Sequence, residues 1–227
     1  MTRAGRRRFS STKGPSLAPR RKPDMKRPFA DRVIFVRHGQ TSFNAENRLQ
    51  GQRDVPLDGK GREQARSVGR YLRGVIGPDI ALMERRGAFW ASPLTRARET
   101  IELARVAMGL SPLPYRVDPR LKELTFGEWE GMTWAQVWER DPAGAKAREA
   151  DKWGFAPPGG ESYAMLAERV EPWLVELTGE TFVVAHGGVA RVLFALIAGM
   201  KPIDAVSADI WQGRALIFEK GAARWLG

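Results

Sequence analysis

Cysteine is absent from the 227-residue sequence, and histidine occurs only twice. The first absence excludes disulfides and thiolate metal sites while leaving the compartment open. Long apolar runs are missing as well. The best stretch, residues 189–200, is a dozen residues interrupted by Arg191, short of the roughly 20 apolar residues that a membrane-spanning helix requires. No membrane partner is expected. Two histidines far apart in sequence, without a carboxylate cluster, make a poor ligand set, so no metal and no other cofactor is expected either.

Acidic residues are scarce at one end. Residues 1–27 hold ten Lys and Arg against one acid, Asp24, a net +9 of the chain's +11, so the other 200 residues carry only +2. The basic excess belongs to a tail containing Pro, Ser and Gly without apolar periodicity, which reads as disordered over residues 1–28. A nucleic-acid partner would rest on this tail alone and is not required. Its Arg and Ser content raises an organelle transit peptide, and Arg6-Arg7-Arg8-Phe9 a twin-arginine signal, but neither an apolar h-region nor an amphipathic period follows. A solvated tail, or a biological start at Met25, is the plainer reading. The expected compartment is the cytoplasm, with organelle targeting by the tail left open. Residues 29–227 are expected to form a single domain, as monomer or homodimer, with enough apolar material for a full core.

Both histidines stand directly after an apolar, β-branched run and directly before glycine, in VIFVRHG (33–39) and FVVAHGG (182–188). A lone histidine at a strand end is often a packing residue, so context has to decide. The runs at 33–36 and 182–185 have the pattern of strands buried on both faces of a parallel sheet. Ligands in open α/β sheets bind beyond the carboxyl ends of such strands, where His38 and His186 both fall. Arg37 places a fixed cation beside His38, an arrangement suited to a phosphoryl group.

Around these strands the periodicity predicts helices. Residues 61–76 put Ala65, Val68, Leu72 and Val75 on one face. Residues 88–91 read as a strand, with Ser92 as N-cap and Pro93 as first residue of a helix ending at Met108. Residues 109–160 read as loop-rich, with a short helix at Trp134, Val137 and Trp138 behind a Thr133/Gln136 capping box. Ser162 caps a helix carrying Leu166, Val170 and Leu174. Residues 189–198 form a helix behind His186, and 215–218 an edge strand. Alternating strands and helices predict an α/β fold, a three-layer α/β/α sandwich on a largely parallel mixed sheet.

The segments VIFVRHGQTSFNAENRLQGQRDVPLDGKGREQA, ASPLTRARET, LKELTFGEWEG, PPGGES and VVAHGG run in order from about residue 33 to 192. Together they resemble the histidine phosphatase superfamily, also called the phosphoglycerate mutase-like family. The resemblance implies that His38 attacks phosphorus and becomes a covalent phosphohistidine. It further implies that Arg37 and Arg96 clamp the phosphoryl oxygens, that His186 donates to them, and that Asn44, Gln50 and Gly187 line the phosphate pocket. Elementary chemistry agrees: a neutral imidazole attacks only if its other nitrogen is held and the anionic oxygens are neutralised. Guanidinium forks suit that task better than ammonium. Gly39, Gly187 and Gly188 are expected to permit close backbone approach.

A leaving alkoxide needs a proton and the phosphoenzyme needs an activated water, so one carboxyl group should serve as acid and then base. Of Glu123, Glu128 and Glu130, the family pattern assigns Glu123, leaving the other two solvated or structural. Only 63 positions separate Glu123 from His186, where mutases of the family carry a longer insertion, so hydrolysis is favoured over cofactor-dependent phosphoglycerate mutase activity. Arg148 and Lys152, with Trp153 and Phe155 where polar contacts would be expected, depart from the fructose-2,6-bisphosphatase branch. Trp129, Trp134, Trp138, Trp153 and Phe155 either line an apolar lid or pack the middle segment onto the core. The expected activity is a phosphatase of small phosphomonoesters, with apolar or aromatic leaving groups suggested by those rings. A non-catalytic phosphate or phosphopeptide binder is the alternative of another class.

Overall fold

The computed structural model describes residues 32–226, so the expectations for the tail and for a start at Met25 lie outside the described residues. The strands are β1 (Arg32–Arg37), β2 (Phe89–Ala91), β3 (Arg116–Val117), β4 (Thr181–Ala185), β5 (Ala215–Glu219) and β6 (Ala222–Leu226). The helices are α1 (Ser42–Ala45), α2 (Gly59–Ile76), α3 (Asp79–Arg85), α4 (Thr95–Met108), α5 (Trp134–Arg140), α6 (Pro142–Ala150), α7 (Tyr163–Glu176), α8 (Gly187–Leu196) and α9 (Pro202–Ala205). None of them is long and apolar enough to cross a membrane.

The sheet order is β3-β2-β4-β1-β5-β6, with β1 through β4 mutually parallel and β5 antiparallel to both its neighbours. Side chains alternate between the two faces, as strand geometry requires. Val33 and Phe35 of β1 join Val183 and Ala185 of β4 in a core closed by α7 and α8. Ile34 and Val36 join Phe182 and Val184 in a second core closed by α2 and α4. The result is the expected three-layer α/β/α sandwich. Every residue of β4 is buried, and each such large apolar side chain contributes roughly 1.5–3 kcal/mol relative to exposure.

Several local expectations change. Residues 215–218 form no edge strand: β5 lies inside the sheet, because Lys220 (φ 51°) and Gly221 (φ 76°) turn the chain back and β6 takes the edge. Ser92 is not an N-cap and Pro93 is not helical. Leu94 is extended, at φ −66° and ψ 137°, and α4 begins at Thr95. Val75 projects into solvent, since α2 ends one residue later, beyond the edge of the core. The segment read as loop-rich also contains α6, and it builds a third apolar cluster of Leu49, Trp129, Val137 and Ala145.

Candidate active site

β1 and β4 are adjacent and parallel, so the residues following them emerge side by side at the carboxyl end of the sheet. His38 and His186 therefore meet, with ring centroids 5.1 Å apart, although 148 positions separate them. Both are buried. His38 Nδ1 lies 2.8 Å from the carbonyl oxygen of Gly39, which accepts only if Nδ1 carries the proton. Nε2 is then a bare lone pair, and Arg96 Nε donates to it at 3.3 Å. Burial first, then the charges of Arg96 and Arg37, hold the His38 pKa well below its ordinary value of 6.5, so the ring is neutral.

Arg96 projects from the first turn of α4 into full burial. Its remaining nitrogens donate to the carbonyls of Arg53 (2.7 Å) and Gly51 (2.8 Å), which fix the guanidinium plane. Arg37 donates from Nη1 to the Ile210 carbonyl at 2.8 Å. Arg37 Nε and His186 Nδ1 are buried without hydrogen-bond partners among the described residues. Burial lowers the pKa of both arginines, Arg37 and Arg96. Desolvated cations of this kind gain most when an anion arrives.

Glu123 sits against the N-terminus of α8, where its carboxylate accepts from Gly188 N–H at 3.1 and 3.2 Å and from Leu124 N–H at 3.0 Å. This is the favoured end of a helix for negative charge. Arg169 of α7 anchors the strand of loop before it, donating to the carbonyls of Arg120 (2.8 Å) and Lys122 (3.1 Å). Asn44 Oδ1 accepts from Thr41 N–H at 3.2 Å and from Gln212 Nε2 at 3.0 Å, and Gln50 Oε1 accepts from Thr41 Oγ1 at 2.9 Å. With both oxygens engaged in the fold, the two amino groups are left as donors for the cleft.

Arg37, His38, Asn44, Gln50, Arg96, Glu123 and Gly187 line one cleft of about 580 Å³, against which His186 is buried. Gly187 has room for a methyl group and needs no glycine on steric grounds, whereas Gly39 and Gly188 do: a Cβ would lie 2.3 Å from the Gly61 carbonyl or from Glu123 Oε1. Glu128 is exposed, and Glu130 is structural, accepting from Gln52 N–H, Thr125 Oγ1 and Phe126 N–H.

The ring cluster mostly packs. Trp129 is buried and stacks on Phe155, Trp153 stacks on Tyr163, and Trp138 is solvent-exposed and not among the residues lining the cleft. Trp134 alone of the five faces the cleft, with Arg148 4.3 Å above its ring. The cleft is strongly cationic instead. Arg48, Arg148, Lys152 and Arg191 join Arg37 and Arg96, against one carboxylate, Glu123.

Sequence reasoning passed over Arg191 and Gln212. Arg191 lies on α8 one turn after Gly187 and donates to the Ala208 carbonyl at 3.1 Å. Its signal was a lone cation inside an apolar run. Gln212 Nε2 donates to the His38 carbonyl (3.1 Å), and no sequence pattern marks it. Among the described residues no group of three or more His, Cys, Asp or Glu is placed to hold a metal ion.

Comparison with known proteins agrees with this geometry. Residues 33–218 match the family model of the histidine phosphatase superfamily (branch 1). The chain is 35% identical over 186 residues to a glucosyl-3-phosphoglycerate phosphatase of Mycolicibacterium vanbaalenii, covering 76% of each chain. It is 31% identical over 204 residues to a 2,3-bisphosphoglycerate-dependent phosphoglycerate mutase of Azorhizobium caulinodans, covering 84% of this chain and 92% of that one. Among solved structures, a mycobacterial glucosyl-3-phosphoglycerate phosphatase in complex with VO3 superposes with TM-score 0.70 at 30% identity, covering 87% of this chain and 96% of that one. A putative alpha-ribazole-5'-P phosphatase from Escherichia coli superposes with TM-score 0.69 at 27% identity, covering 87% and 95%. The chain belongs to the histidine phosphatase superfamily, branch 1.

Proposed function

We propose that this chain is a metal-independent phosphatase of small phosphomonoesters that works through a covalent phosphohistidine on His38. The observation that carries the reading is the state of His38: Nδ1 tied to Gly39, Nε2 unprotonated, and the ring neutral beside Arg37 and Arg96. Nε2 attacks phosphorus as the bond to the ester oxygen breaks, and Glu123 gives its proton to the leaving oxygen. Glu123 then takes a proton from water, whose oxygen attacks the phosphohistidine, releasing inorganic phosphate and free His38. Arg37, Arg96 and His186 hold the equatorial oxygens, so catalysis is chiefly positioning and charge stabilisation.

The leaving group carries a second anion. Arg148, Lys152 and Arg191 line the cleft beyond the clamping arginines, and burial lowers the Arg148 pKa, an arrangement suited to a carboxylate or second phosphate rather than to a purely apolar group. The names of the phosphatase and mutase relatives point the same way, since a phosphoglycerate bears a carboxylate. The same reading takes the protein as cytoplasmic and as a monomer or homodimer.

Phosphoglycerate mutase activity is the second reading, favoured by the 31% identity to a mutase over most of its length. A metal-free assay with 3-phosphoglycerate and a trace of 2,3-bisphosphoglycerate, beside a panel of phosphomonoesters, separates the two. Release of inorganic phosphate without 2-phosphoglycerate is expected, and rapid isomer formation with little phosphate would establish the mutase. His38→Ala is expected to abolish turnover while inorganic phosphate still binds, and unchanged turnover would refute the nucleophile.

A further inference from the structure

We propose that Ser92 is a positioning residue for the reaction: its hydroxyl donates to His186 Nε2 and so places the imidazole proton on Nδ1, the nitrogen left without a partner for a phosphoryl oxygen to use. The proposal rests on the reading of His186 as a donor to the phosphoryl oxygens.

Ser92 directly follows β2, and its N–H still bonds the Val184 carbonyl of β4 at 3.0 Å. It therefore emerges beside His186, the residue that follows β4, at the carboxyl ends of two neighbouring parallel strands. Both residues are fully buried. Ser92 Oγ lies 2.7 Å from His186 Nε2 and accepts a longer bond, 3.4 Å, from Leu94 N–H.

These are the hydroxyl's partners among the described residues. Leu94 N–H can only donate, so His186 Nε2 is the one acceptor among them for the hydroxyl's single proton, and giving it that proton, with Nε2 presenting a lone pair, is the arrangement that satisfies the hydroxyl in full. Burial, and after it the charges of Arg96, His38 and Arg37, holds the His186 pKa well below 6.5, so the ring is neutral and keeps a single proton. That proton is left on Nδ1. Nδ1 is buried and without a partner, in a ring 5.1 Å from that of the nucleophile. A buried N–H without an acceptor is unfavourable, and a phosphoryl oxygen on its way to His38 supplies one. The opposite assignment leaves the serine proton without an acceptor and aims a lone pair at negatively charged oxygens.

The local sequence carries the same demand. Ser92 has the neighbours of a helix N-cap, yet its oxygen is spent on histidine and α4 starts at Thr95 with another residue's carboxylate on its first N–H. Ordering His186 in this way parallels the partner that a metal-bound or catalytic histidine requires on its second nitrogen.

The chain's two histidines make the test direct, since ¹⁵N–¹H correlation of the imidazoles in phosphate-free buffer shows two ring systems and His38→Ala assigns them. The wild-type protein is expected to show the Nδ1–H tautomer for both, and an Nε2–H tautomer at His186 overturns the proposal. In Ser92→Ala, His186 is expected to lose the Nδ1–H form, and kcat to fall about tenfold to a hundredfold with KM nearly unchanged. Ser92→Thr, which keeps the hydroxyl, is expected to restore both the tautomer and kcat. A Ser92→Ala protein with the wild-type tautomer and kcat also overturns it. Turnover surviving in His38→Ala would instead remove the phosphatase reading, and the tautomer measurement on the wild-type chain stands apart from that result.

Discussion

Individual residues at this site act through what their neighbours leave available. On the proposed reading His38 serves as nucleophile because Gly39 holds one nitrogen and burial keeps the ring neutral, and Arg96 serves as a clamp because two backbone carbonyls hold its plane. Gly188 shows how tight the fit is. A methyl group there would lie 2.3 Å from Glu123 Oε1 and 2.6 Å from Leu124 Cδ2, so Gly188→Ala must push the carboxylate off the α8 terminus. We expect its kcat to drop roughly a hundredfold, the scale of a 1 Å misplacement, with an unaltered circular dichroism spectrum. Steady-state kinetics beside that spectrum check it, and wild-type kcat would place the proton-transfer group elsewhere. At this scale the sequence was highly legible. Arg37, His38, Arg96, Glu123 and His186 could be named because each stands in a short motif whose chemistry is local. Gln212 could not, because its value comes entirely from bonds to His38 and Asn44, some 170 positions away.

Elements add constraints that no single motif contains. The N-terminus of α4 is capped by Asp54, whose carboxylate accepts from Thr95 N–H (2.8 Å) and Thr95 Oγ1 (2.7 Å) across 41 positions. A local Ser-Pro pair suggested the cap, and a tertiary contact supplied it. Asp54→Ala is expected to cost about 1 kcal/mol, as for other cap losses, measured by urea unfolding. Glu130 ties the turn at 51–53 to the loop carrying Glu123, accepting from Gln52 N–H at 2.9 Å and Thr125 Oγ1 at 2.7 Å. Since carbonyls of that turn orient Arg96, Glu130→Ala is expected to lower kcat/KM about tenfold to a hundredfold without touching substrate. Vanadate affinity should fall in parallel, and an unchanged affinity would count against the link. The helices at 134–140 and 163–176 were readable from a capping box, an N-cap serine and apolar spacing, while α6 was not, because Ala- and charge-rich residues gave it a weak apolar face around one buried side chain, Ala145.

For the molecule as a whole, two buried neutral histidines link stability to pH. Their folded pKa values lie well below 6.5, so above pH 6.5 neither state binds the proton and stability is at its full value. As pH falls through 6.5 the unfolded chain takes up protons that the folded chain refuses, and stability declines by up to about 1.4 kcal/mol per pH unit for each histidine. Thermal unfolding in phosphate-free buffer between pH 7.5 and 5 should therefore show a falling Tm. The decline should be shallower in His38→Asn, and a flat profile would contradict neutral burial. Removing residues 1–24 is expected to abolish salt-sensitive binding to nucleic acid while kcat is unchanged, because residues 1–27 carry +9 of the chain's net +11. Filter binding at two ionic strengths and the phosphatase assay test both halves.

From sequence alone came the layer architecture, the strand ends that carry the histidines, and the names of Arg37, Arg96 and Glu123 among the charged groups that gather there. Those features are local: a buried strand needs a continuous apolar run, and a histidine at its end needs nothing more to be placed. Tertiary structure decided the rest, namely the interior position of β5, the Asp54 cap, the bonds of Ser92 and Gln212, and a cleft dominated by cations rather than aromatic rings. Each depends on which distant segments the packed layers bring within about 3 Å, a distance at which hydrogen bonds and charges act and to which local sequence pattern is blind.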